Sequence, residues 1–264
     1  MRFENKVAVI TGGASGIGAA TARLLAAEGA RVVIGDVQTD LGSVLAGEIG
    51  GEFVHTDVAD RAQVEALVAR TAELHGGLDI LFNNAGIGSF GETPDLDPED
   101  WRRVFAVDLD AVFFACRVAI PLIRARGGGA IVNTASISGL GGDYGFSAYN
   151  AAKGALINYT RTLAVDHGKD GIRVNALCPG YIDTPLAAPL KAIPGLVEAW
   201  LPQIPLQRTG SSEEMAKVVA FLVSDDASYM TGSIVVADGG MTARTGQPNF
   251  VGLMGAALAA GAPT

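Results

Sequence analysis

A glycine-rich turn near the start of the chain joins an apolar segment to an Ala- and Leu-rich one. Residues 6–11 are apolar, as is typical of a strand buried on both faces, and residues 16–29 are typical of a helix. The turn carries Gly12, Gly16 and Gly18. Without Cβ atoms the backbone can turn tightly and approach a pyrophosphate, while the helix N-terminus supplies N–H donors. Strand, turn and helix together predict the first unit of a dinucleotide-binding fold.

Predicted strands and helices alternate along the rest of the chain. The strands are predicted at residues 6–11, 31–36, 52–56, 78–82, 130–134, 173–177 and 233–236. The helices are predicted at residues 16–29, 39–49, 60–75, 98–126, 147–167 and 213–223. Such alternation implies an α/β fold in which parallel strands are connected by helices on both faces. We therefore expect a single Rossmann-type, doubly wound domain over residues 1–264, with a seven-stranded parallel sheet.

Two segments depart from this alternation. Residues 184–210 are rich in proline but also apolar, which favours a lid over a ligand rather than a solvated linker. The tail after Asp238, about residues 241–264, is expected to be irregular, and residues 251–262 are small and apolar. Because an exposed apolar segment is unfavourable in water, we expect this tail to pack on a partner subunit.

Composition excludes several classes of function. With 19 Lys and Arg against 28 Asp and Glu, the net charge of −9 argues against nucleic-acid binding. Cys116 and Cys178 are expected to be buried, reduced thiols. Together with His55, His75 and His167 they show no metal-ligand spacing, so no metal site is predicted. The chain has no leader-like start and no long apolar run, so we expect a cytoplasmic protein without a membrane partner.

An acidic residue ends the second predicted strand. Asp36 follows Gly18 by 18 residues, the position from which a carboxylate accepts hydrogen bonds from adenosine ribose hydroxyls and repels a 2′-phosphate. Its neighbours Ser15, Val37 and Gln38 carry no positive charge. These features predict NAD(H) rather than NADP(H) as the cofactor. The alternative is that Asp36 is an ordinary residue of a strand-end turn.

Three polar residues suit a proton transfer coupled to hydride transfer. Tyr149 and Lys153 are four residues apart and so share one face of a predicted helix. The pKa of a free tyrosine, about 10, is too high for an efficient base, and a neighbouring ammonium lowers it. Ser136 lies 13 residues before Tyr149, where it can donate a hydrogen bond to a substrate oxygen. Ser138 is the alternative serine, with a structural role favoured; alone, each of the three could be a packing, surface or turn residue.

Seven motifs occur in order along almost the whole chain. They are TGGASGIG at 11–18, Asp57-Val58, NNAG at 83–86, Ser136, Tyr149-x-x-x-Lys153, Pro179-Gly180 and DGG at 238–240. In this respect the chain resembles the short-chain dehydrogenase/reductase family. The segments TASISGLGGD at 134–143 and ADGGMTARTGQPNF at 237–250 are similar to those of bacterial acetoin and 2,3-butanediol-type dehydrogenases.

The resemblance implies a role for each matched position. It puts Asp57 and Val58 beside the adenine, residues 84–86 along the adenosine ribose, and Thr134 beneath the cofactor. At the nicotinamide carboxamide and the phosphates it puts Pro179, Gly180, Ile182 and Thr184. The residues expected to bind NAD are Gly12, Ser15, Gly16, Ile17, Gly18, Asp36, Val37, Asp57, Val58, Asn84, Ala85, Gly86, Thr134, Tyr149, Lys153, Pro179, Gly180, Ile182 and Thr184.

One position departs from the family pattern. The family usually has an asparagine in the middle of the long fourth helix, where it serves a proton relay, but this chain has Asp108. The part of that role carried by the main-chain carbonyl survives the change, whereas the amide donor is lost unless the carboxyl group is protonated. Asp108 could also strengthen the positive charge of Lys153. We therefore include Asp108 with Ser136, Tyr149 and Lys153 as a catalytic candidate, with a structural role as the alternative.

The expected substrate pocket is apolar. The loops at 88–96, 140–146 and 184–206 should form it, with few cations to bind a phosphorylated or carrier-linked substrate. The candidate lining residues are Phe90, Leu140, Tyr144, Phe146, Leu186, Leu190 and Trp200. We expect an NAD-dependent enzyme that interconverts a small or medium secondary alcohol, or a vicinal diol, and its ketone.

Other assignments remain open at this stage. An NADPH-dependent 3-ketoacyl-type reductase is disfavoured by Asp36, and a non-catalytic dinucleotide-binding scaffold would not need Tyr149 and Lys153. A Rossmann-like methyltransferase would not need them either. The family resemblance further implies a homotetramer built on the two long helices and on the last strand with its neighbouring helix.

Overall fold

The computed structural model describes residues 1–259, and a seven-stranded parallel sheet forms its centre. The strands are β1 (Val7–Thr11), β2 (Arg31–Asp36), β3 (Glu52–His55), β4 (Ile80–Asn83), β5 (Gly129–Thr134), β6 (Ile172–Pro179) and β7 (Ile234–Ala237). Their order is β3-β2-β1-β4-β5-β6-β7, and every neighbouring pair is parallel. The predicted α/β class and strand count are confirmed.

Helices cover both faces of this sheet. They are α1 (Gly16–Ala27), α2 (Thr39–Ile49), α3 (Arg61–His75), α4 (Pro98–Phe105), α5 (Ala111–Ala125), α6 (Ser147–His167), α7 (Ala188–Lys191), α8 (Leu196–Trp200), α9 (Ser212–Val223) and α10 (Phe250–Ala259). Leu25 of α1, Leu45 of α2 and Val219 of α9 pack on one face. Leu67 of α3 and Ile123 of α5 belong to the core on the other face. Every residue of β1 and β4 is buried, as a two-sided core requires.

The strand order creates a crevice where β1 separates β2 from β4. The chain runs outward from β1 to β3, then returns through α3 to add β4 on the other side of β1. Helices that leave β1 and β4 therefore lie on opposite faces, and the carboxyl ends of these strands open into a crevice between them. All site candidates that follow a strand end are brought to this edge of the sheet.

The long helix predicted at residues 98–126 is interrupted. Ala106–Asp110 form a π-helical turn between α4 and α5. A π turn adds one residue to the hydrogen-bonded ring of an α-helix and so redirects the side chains around it. Asp108 lies in this turn, is fully buried, and accepts a hydrogen bond from the backbone N–H of Ile87 at 2.9 Å. The π turn therefore places the Asp108 carboxylate against the backbone of Ile87, a residue distant in the sequence.

The lid segment and the tail contain helices that were not predicted. Residues 184–210 contain α7 and α8. The rings of Tyr181 and Trp200 stack with centroids 4.4 Å apart, and the Trp200 indole N–H donates to Met241 Sδ at 3.4 Å. Trp200 therefore packs against residues that flank the lid on either side in the sequence. The expectation of an irregular tail is wrong for α10, whose apolar composition favours helix; residues 260–264, including the end of the apolar segment, lie outside the described residues.

The described part of the chain was predicted to have neither a membrane-spanning helix nor a cluster of metal-binding side chains. No helix within residues 1–259 is long and apolar enough to cross a bilayer. The same residues contain no cluster of three or more His, Cys, Asp or Glu side chains that could hold a metal ion.

The junction of β4 and β5 leaves no room for a side chain at Gly129. A Cβ atom there would lie 2.2 Å from the carbonyl oxygen of Asp79 and 2.7 Å from Cγ2 of Ile123. We expect Gly129→Ala to lower the free energy of unfolding by about 1–3 kcal/mol, because fixed backbone must move. Urea denaturation measures this change.

Gly47 provides the matched control. It is exposed on α2, and an added Cβ would meet nothing within 4 Å. Gly47→Ala should raise the free energy of unfolding by about 0.5–1 kcal/mol, since alanine favours helix. Equal stability of the two variants would contradict the assigned packing at Gly129.

Candidate active site

A cavity opens at the carboxyl ends of β1 and β4. It is lined by Gly12, Ser15, Gly16, Ile17, Asp36, Val37, Gln38, Thr56, Asp57, Val58, Ala59, Asn84, Ala85, Gly86, Ile87, Arg103, Val107, Thr134, Thr184, Pro185 and Leu186. Most residues that sequence reasoning assigned to the dinucleotide therefore lie together in one crevice. This is the position at which ligands bind in open α/β sheets.

The glycine turn has the shape that a pyrophosphate requires. Gly12 has a φ of +61°, and a Cβ there would lie 2.7 Å from Cα of Ala85. A Cβ on Gly18 would lie 2.2 Å from the carbonyl oxygen of Gly12, so only glycine lets α1 start this close to the turn. Ser15 is the N-cap residue of α1, but its hydroxyl accepts no hydrogen bond from the helix. The first N–H groups of the helix therefore remain available to a ligand. These features fit an anionic diphosphate.

Asp36 closes the turn from β2. Its carboxylate accepts hydrogen bonds from the backbone N–H of Ala14 at 3.0 Å and of Gln38 at 2.9 Å. Asp36 is largely buried but lines the cavity. Because each carboxylate oxygen has two lone pairs, these bonds orient the group and leave capacity for ribose hydroxyls. The turn role and the ribose role are therefore compatible.

Thr11 and Asn84 tie the two sides of the crevice together. The Thr11 hydroxyl oxygen accepts hydrogen bonds from the N–H groups of Asn84 at 3.0 Å and Ala85 at 3.2 Å. The Asn84 amide donates to the carbonyl of Gly12 at 2.9 Å, and its oxygen accepts from the Thr134 hydroxyl at 3.4 Å. Strands β1, β4 and β5 are thereby joined at the floor of the cavity.

Ser136, Tyr149 and Lys153 meet beside this floor. Ser136 follows β5, and its hydroxyl oxygen accepts from the N–H of Ser138 at 3.1 Å. Tyr149 and Lys153 lie one turn apart on α6, with the Lys153 Nζ 5.6 Å from the centre of the Tyr149 ring. Ser138 instead donates to Asp143 Oδ2 at 2.5 Å, which agrees with the structural role favoured for it.

Lys153 forms a buried ion pair with Asp108. Its Nζ lies 3.1 Å from Asp108 Oδ2 and donates to the carbonyl of Thr134 at 2.8 Å. A Cβ on Gly86 would lie 3.3 Å from that carboxylate and 3.4 Å from that ammonium, so the pair sits directly behind the cavity wall. Burial opposes the charge on Lys153, but Asp108 and Tyr149 together outweigh this effect, and the pKa of Lys153 is raised. Burial also raises the pKa of Asp108, against the effect of the ammonium.

Opposing effects act on the pKa of Tyr149. Burial raises this pKa, the ammonium of Lys153 lowers it, and the negative charge of Asp108 raises it again. The Ser136 hydroxyl also acts in the lowering direction, but the net shift is upward. The lowering effect predicted for Lys153 is therefore present, and burial together with the Asp108 carboxylate outweighs it.

The remaining predicted residues lie around the cavity rather than in its lining. Gly18 is behind the glycine turn, and Pro179, Gly180 and Ile182 follow at the end of β6. A Cβ on Gly180 would lie 2.7 Å from Cα of Asp238, so this glycine allows β6 to pack against the DGG segment.

Two of the three expected substrate loops meet next to Tyr149. The rings of Phe90 and Phe146 are in edge contact at 4.7 Å, and Phe146 is 6.2 Å from the Tyr149 ring. A backbone bridge joins Gly91 to Phe146. Tyr144 is fully exposed instead.

Sequence reasoning missed several lining residues. They are Gln38, Thr56, Ala59, Ile87, Arg103, Val107 and Pro185. A signal for two of them was available, because Arg103 and Val107 are one helical turn apart and Val107 adjoins the candidate Asp108.

Comparison with known proteins identifies the family. A family profile described as enoyl-(acyl carrier protein) reductase matches residues 12–242. The chain belongs to the short-chain dehydrogenase/reductase family. The meso-2,3-butanediol dehydrogenase of Serratia marcescens is 44% identical over 256 residues, which are 95% of this chain and 100% of that protein. The cyclohexanol dehydrogenase of Acinetobacter sp. (strain SE19) is 44% identical over 250 residues, covering 92% of this chain and 97% of the relative.

Solved structures of this family share the fold. The crystal structure of levodione reductase matches with a TM-score of 0.87 and 39% identity, covering 92% of this chain and 99% of that one. The chain is thus an oxidoreductase of a dinucleotide-binding family, with dehydrogenases of secondary alcohols among its relatives.

The Asp108 carboxylate should keep the pKa of Lys153 raised. We expect Asp108→Asn to lower the pKa of Lys153, since it removes a negative charge beside a buried ammonium and retains the side-chain shape. The NMR chemical shift of the Lys153 side chain, titrated against pH, reports this ionisation. Comparison with the spectrum of Lys153→Met assigns the signal to this residue. A higher or unchanged pKa in the Asn variant would contradict the assignment.

Proposed function

We propose that this protein is an NAD(H)-dependent oxidoreductase that interconverts a small or medium secondary alcohol, or a vicinal diol, and its ketone. The observation that carries the proposal is the meeting of Ser136, Tyr149 and Lys153 beside a crevice with Asp36 in its lining. The reactions named for the butanediol and cyclohexanol dehydrogenase relatives support the same substrate class. A non-catalytic scaffold would have no need for the proton-transfer residues.

In this proposal the side chains divide the proton chemistry among them. A bound nicotinamide cofactor would supply the hydride chemistry. Tyr149 takes the hydroxyl proton during oxidation and returns it during reduction. Ser136 donates a hydrogen bond to the substrate oxygen as its charge develops. The roles are those of the family resemblance, applied to the geometry of this site.

Lys153 supports Tyr149 and the cofactor ribose. Its ammonium has three donors, of which one is used by the carbonyl of Thr134 and one faces Asp108. The third remains for a ribose hydroxyl. Asp108 is a positioning residue in this account, because it acts by fixing Lys153 and keeping it charged.

The cofactor preference rests on charge. A 2′-phosphate would meet the Asp36 carboxylate, whose orientation is fixed by Ala14 and Gln38. An NADPH-dependent 3-ketoacyl-type reductase is less well supported for the same reason. In the lid, Lys191 pairs with Asp183, and Arg208 pairs with Glu214. Both cations therefore already have carboxylate partners and are less available to bind the phosphate of a carrier-linked substrate.

We also propose a cytoplasmic homotetramer of one catalytic domain per chain, with a lid at 184–210 and a tail at 241–264. Phe113 and Tyr159 line a groove between α5 and α6, as expected of a helix-packed interface. Phe250, Val251 and Met254 of α10 expose apolar surface that a partner subunit would cover. Light scattering of the full chain measures the number of subunits.

Cofactor-dependent turnover tests the function. Absorbance at 340 nm is followed with NAD⁺ or NADP⁺ and a panel of butane-2,3-diol, cyclohexanol and butan-2-ol. We expect turnover with NAD⁺ and at least about tenfold lower kcat/KM with NADP⁺, because the phosphate and Asp36 repel each other. Asp36→Ser should reduce this preference. Absence of turnover with both cofactors across the panel would contradict the proposal.

A further inference from the structure

One cationic side chain lines the crevice. Within the described residues, the charged side chains of the lining are Asp36, Asp57 and Arg103. Arg103 comes from α4, away from the glycine turn in sequence. It forms no ion pair within residues 1–259, whereas the adjacent Arg102 pairs with Glu99. An arginine that has no carboxylate partner and lines the same cavity as an anion-binding turn has its donors free for a ligand.

The helix that carries Arg103 is firmly anchored. Val104 is buried against Ala148 and Ala152 of α6, and Val107 lines the same crevice one turn after Arg103. The backbone of Arg103 is therefore fixed at the wall. Its side chain is exposed and long enough to move onto a bound molecule.

The lining also indicates which group of a dinucleotide Arg103 can bind. The cavity includes Asp36 at the ribose end, Gly16 at the phosphate turn, and Thr134 and Thr184 toward the nicotinamide, so it spans the place of the pyrophosphate. The pyrophosphate is the anionic group of NAD. The two carboxylates of the lining repel an anion, the turn offers neutral N–H donors, and Arg103 carries the positive charge.

We propose that Arg103 binds the pyrophosphate of the dinucleotide, adding from α4 the positive charge that the glycine turn lacks. A guanidinium can donate two parallel hydrogen bonds to phosphate oxygens. The inference rests on the proposed function only in taking the ligand to be a dinucleotide. Its effect is on cofactor affinity and not on the proton transfer at Tyr149.

Binding measurements separate this role from a structural one. Calorimetry with ADP, adenosine and NADH is compared for the unchanged protein, Arg103→Ala and the control Arg102→Ala. For Arg103→Ala we expect the Kd of ADP and NADH to rise about 10- to 150-fold, the range for a charged hydrogen bond. Adenosine, which lacks phosphate, should change by less than about twofold. Arg102→Ala should resemble the unchanged protein.

Two further measurements test the charge. Arg103→Lys should bind ADP more tightly than Arg103→Ala but less tightly than the unchanged protein, because lysine carries the positive charge without the paired donors of a guanidinium. The difference between Arg103→Ala and the unchanged protein should shrink in about 0.5 M salt. Equal losses for adenosine and ADP would overturn the proposal in favour of stacking on the base. Adenosine 2′,5′-bisphosphate is measured as a further ligand, and a loss confined to it would overturn the proposal in favour of a 2′-phosphate contact.

Failure of the wider account would look different. An unchanged protein that binds neither ADP nor NADH would overturn dinucleotide binding itself. Normal binding in the Arg103→Ala variant, with the unchanged protein also binding, would overturn only the role of Arg103.

Discussion

The buried contact between Lys153 and Asp108 joins the elements on which this site depends. The ammonium comes from α6 and the carboxylate from the π-helical turn. The ammonium also donates to the carbonyl of Thr134, and the carboxylate also accepts from the N–H of Ile87. Burying two charges costs desolvation energy that only good geometry and further hydrogen bonds offset. The carboxylate that contacts the lysine lies in the π-helical interruption at residues 106–110.

This contact also determines the charge around Tyr149. Lys153 alone would favour the phenolate, but its ammonium lies 3.1 Å from the Asp108 carboxylate, whose negative charge opposes the phenolate. Burial adds to the effect of Asp108, and the pKa of Tyr149 is raised. The balance of these two buried charges therefore sets the electrostatic surroundings of the phenol.

Local patterns in the sequence predicted much of this structure. The glycine turn, Asp36 and the Tyr149–Lys153 spacing were predictable because each depends on neighbours within one strand, turn or helix. The seven strands followed from apolar segments separated by helices. The observed strand boundaries differ from the predicted ones where side chains make tertiary contacts. Strand β4 begins at Ile80 rather than at residue 78, and the preceding Asp79 carboxylate accepts a hydrogen bond from the N–H of Val7.

Features that depend on contacts distant in sequence were not predictable in this way. The π turn arises from the meeting of Asp108 with Ile87 and Lys153, and the net pKa of Tyr149 requires knowing how deeply its ring is buried. Arg103 belongs to the crevice only because α4 packs on α6. The short helices α7 and α8 and the Tyr181–Trp200 stack form within a segment whose prolines obscure helical periodicity.

The central claim is that Tyr149 moves the proton during alcohol oxidation, and kcat/KM of Tyr149→Phe with NAD⁺ and butane-2,3-diol tests it most directly. The matched control is Tyr144→Phe, because Tyr144 is fully exposed on the neighbouring loop. The account predicts that Tyr149→Phe loses about 10²- to 10⁴-fold in kcat/KM with NADH binding retained, while the control is unchanged. A Tyr149→Phe enzyme within about twofold of the unchanged protein would contradict it.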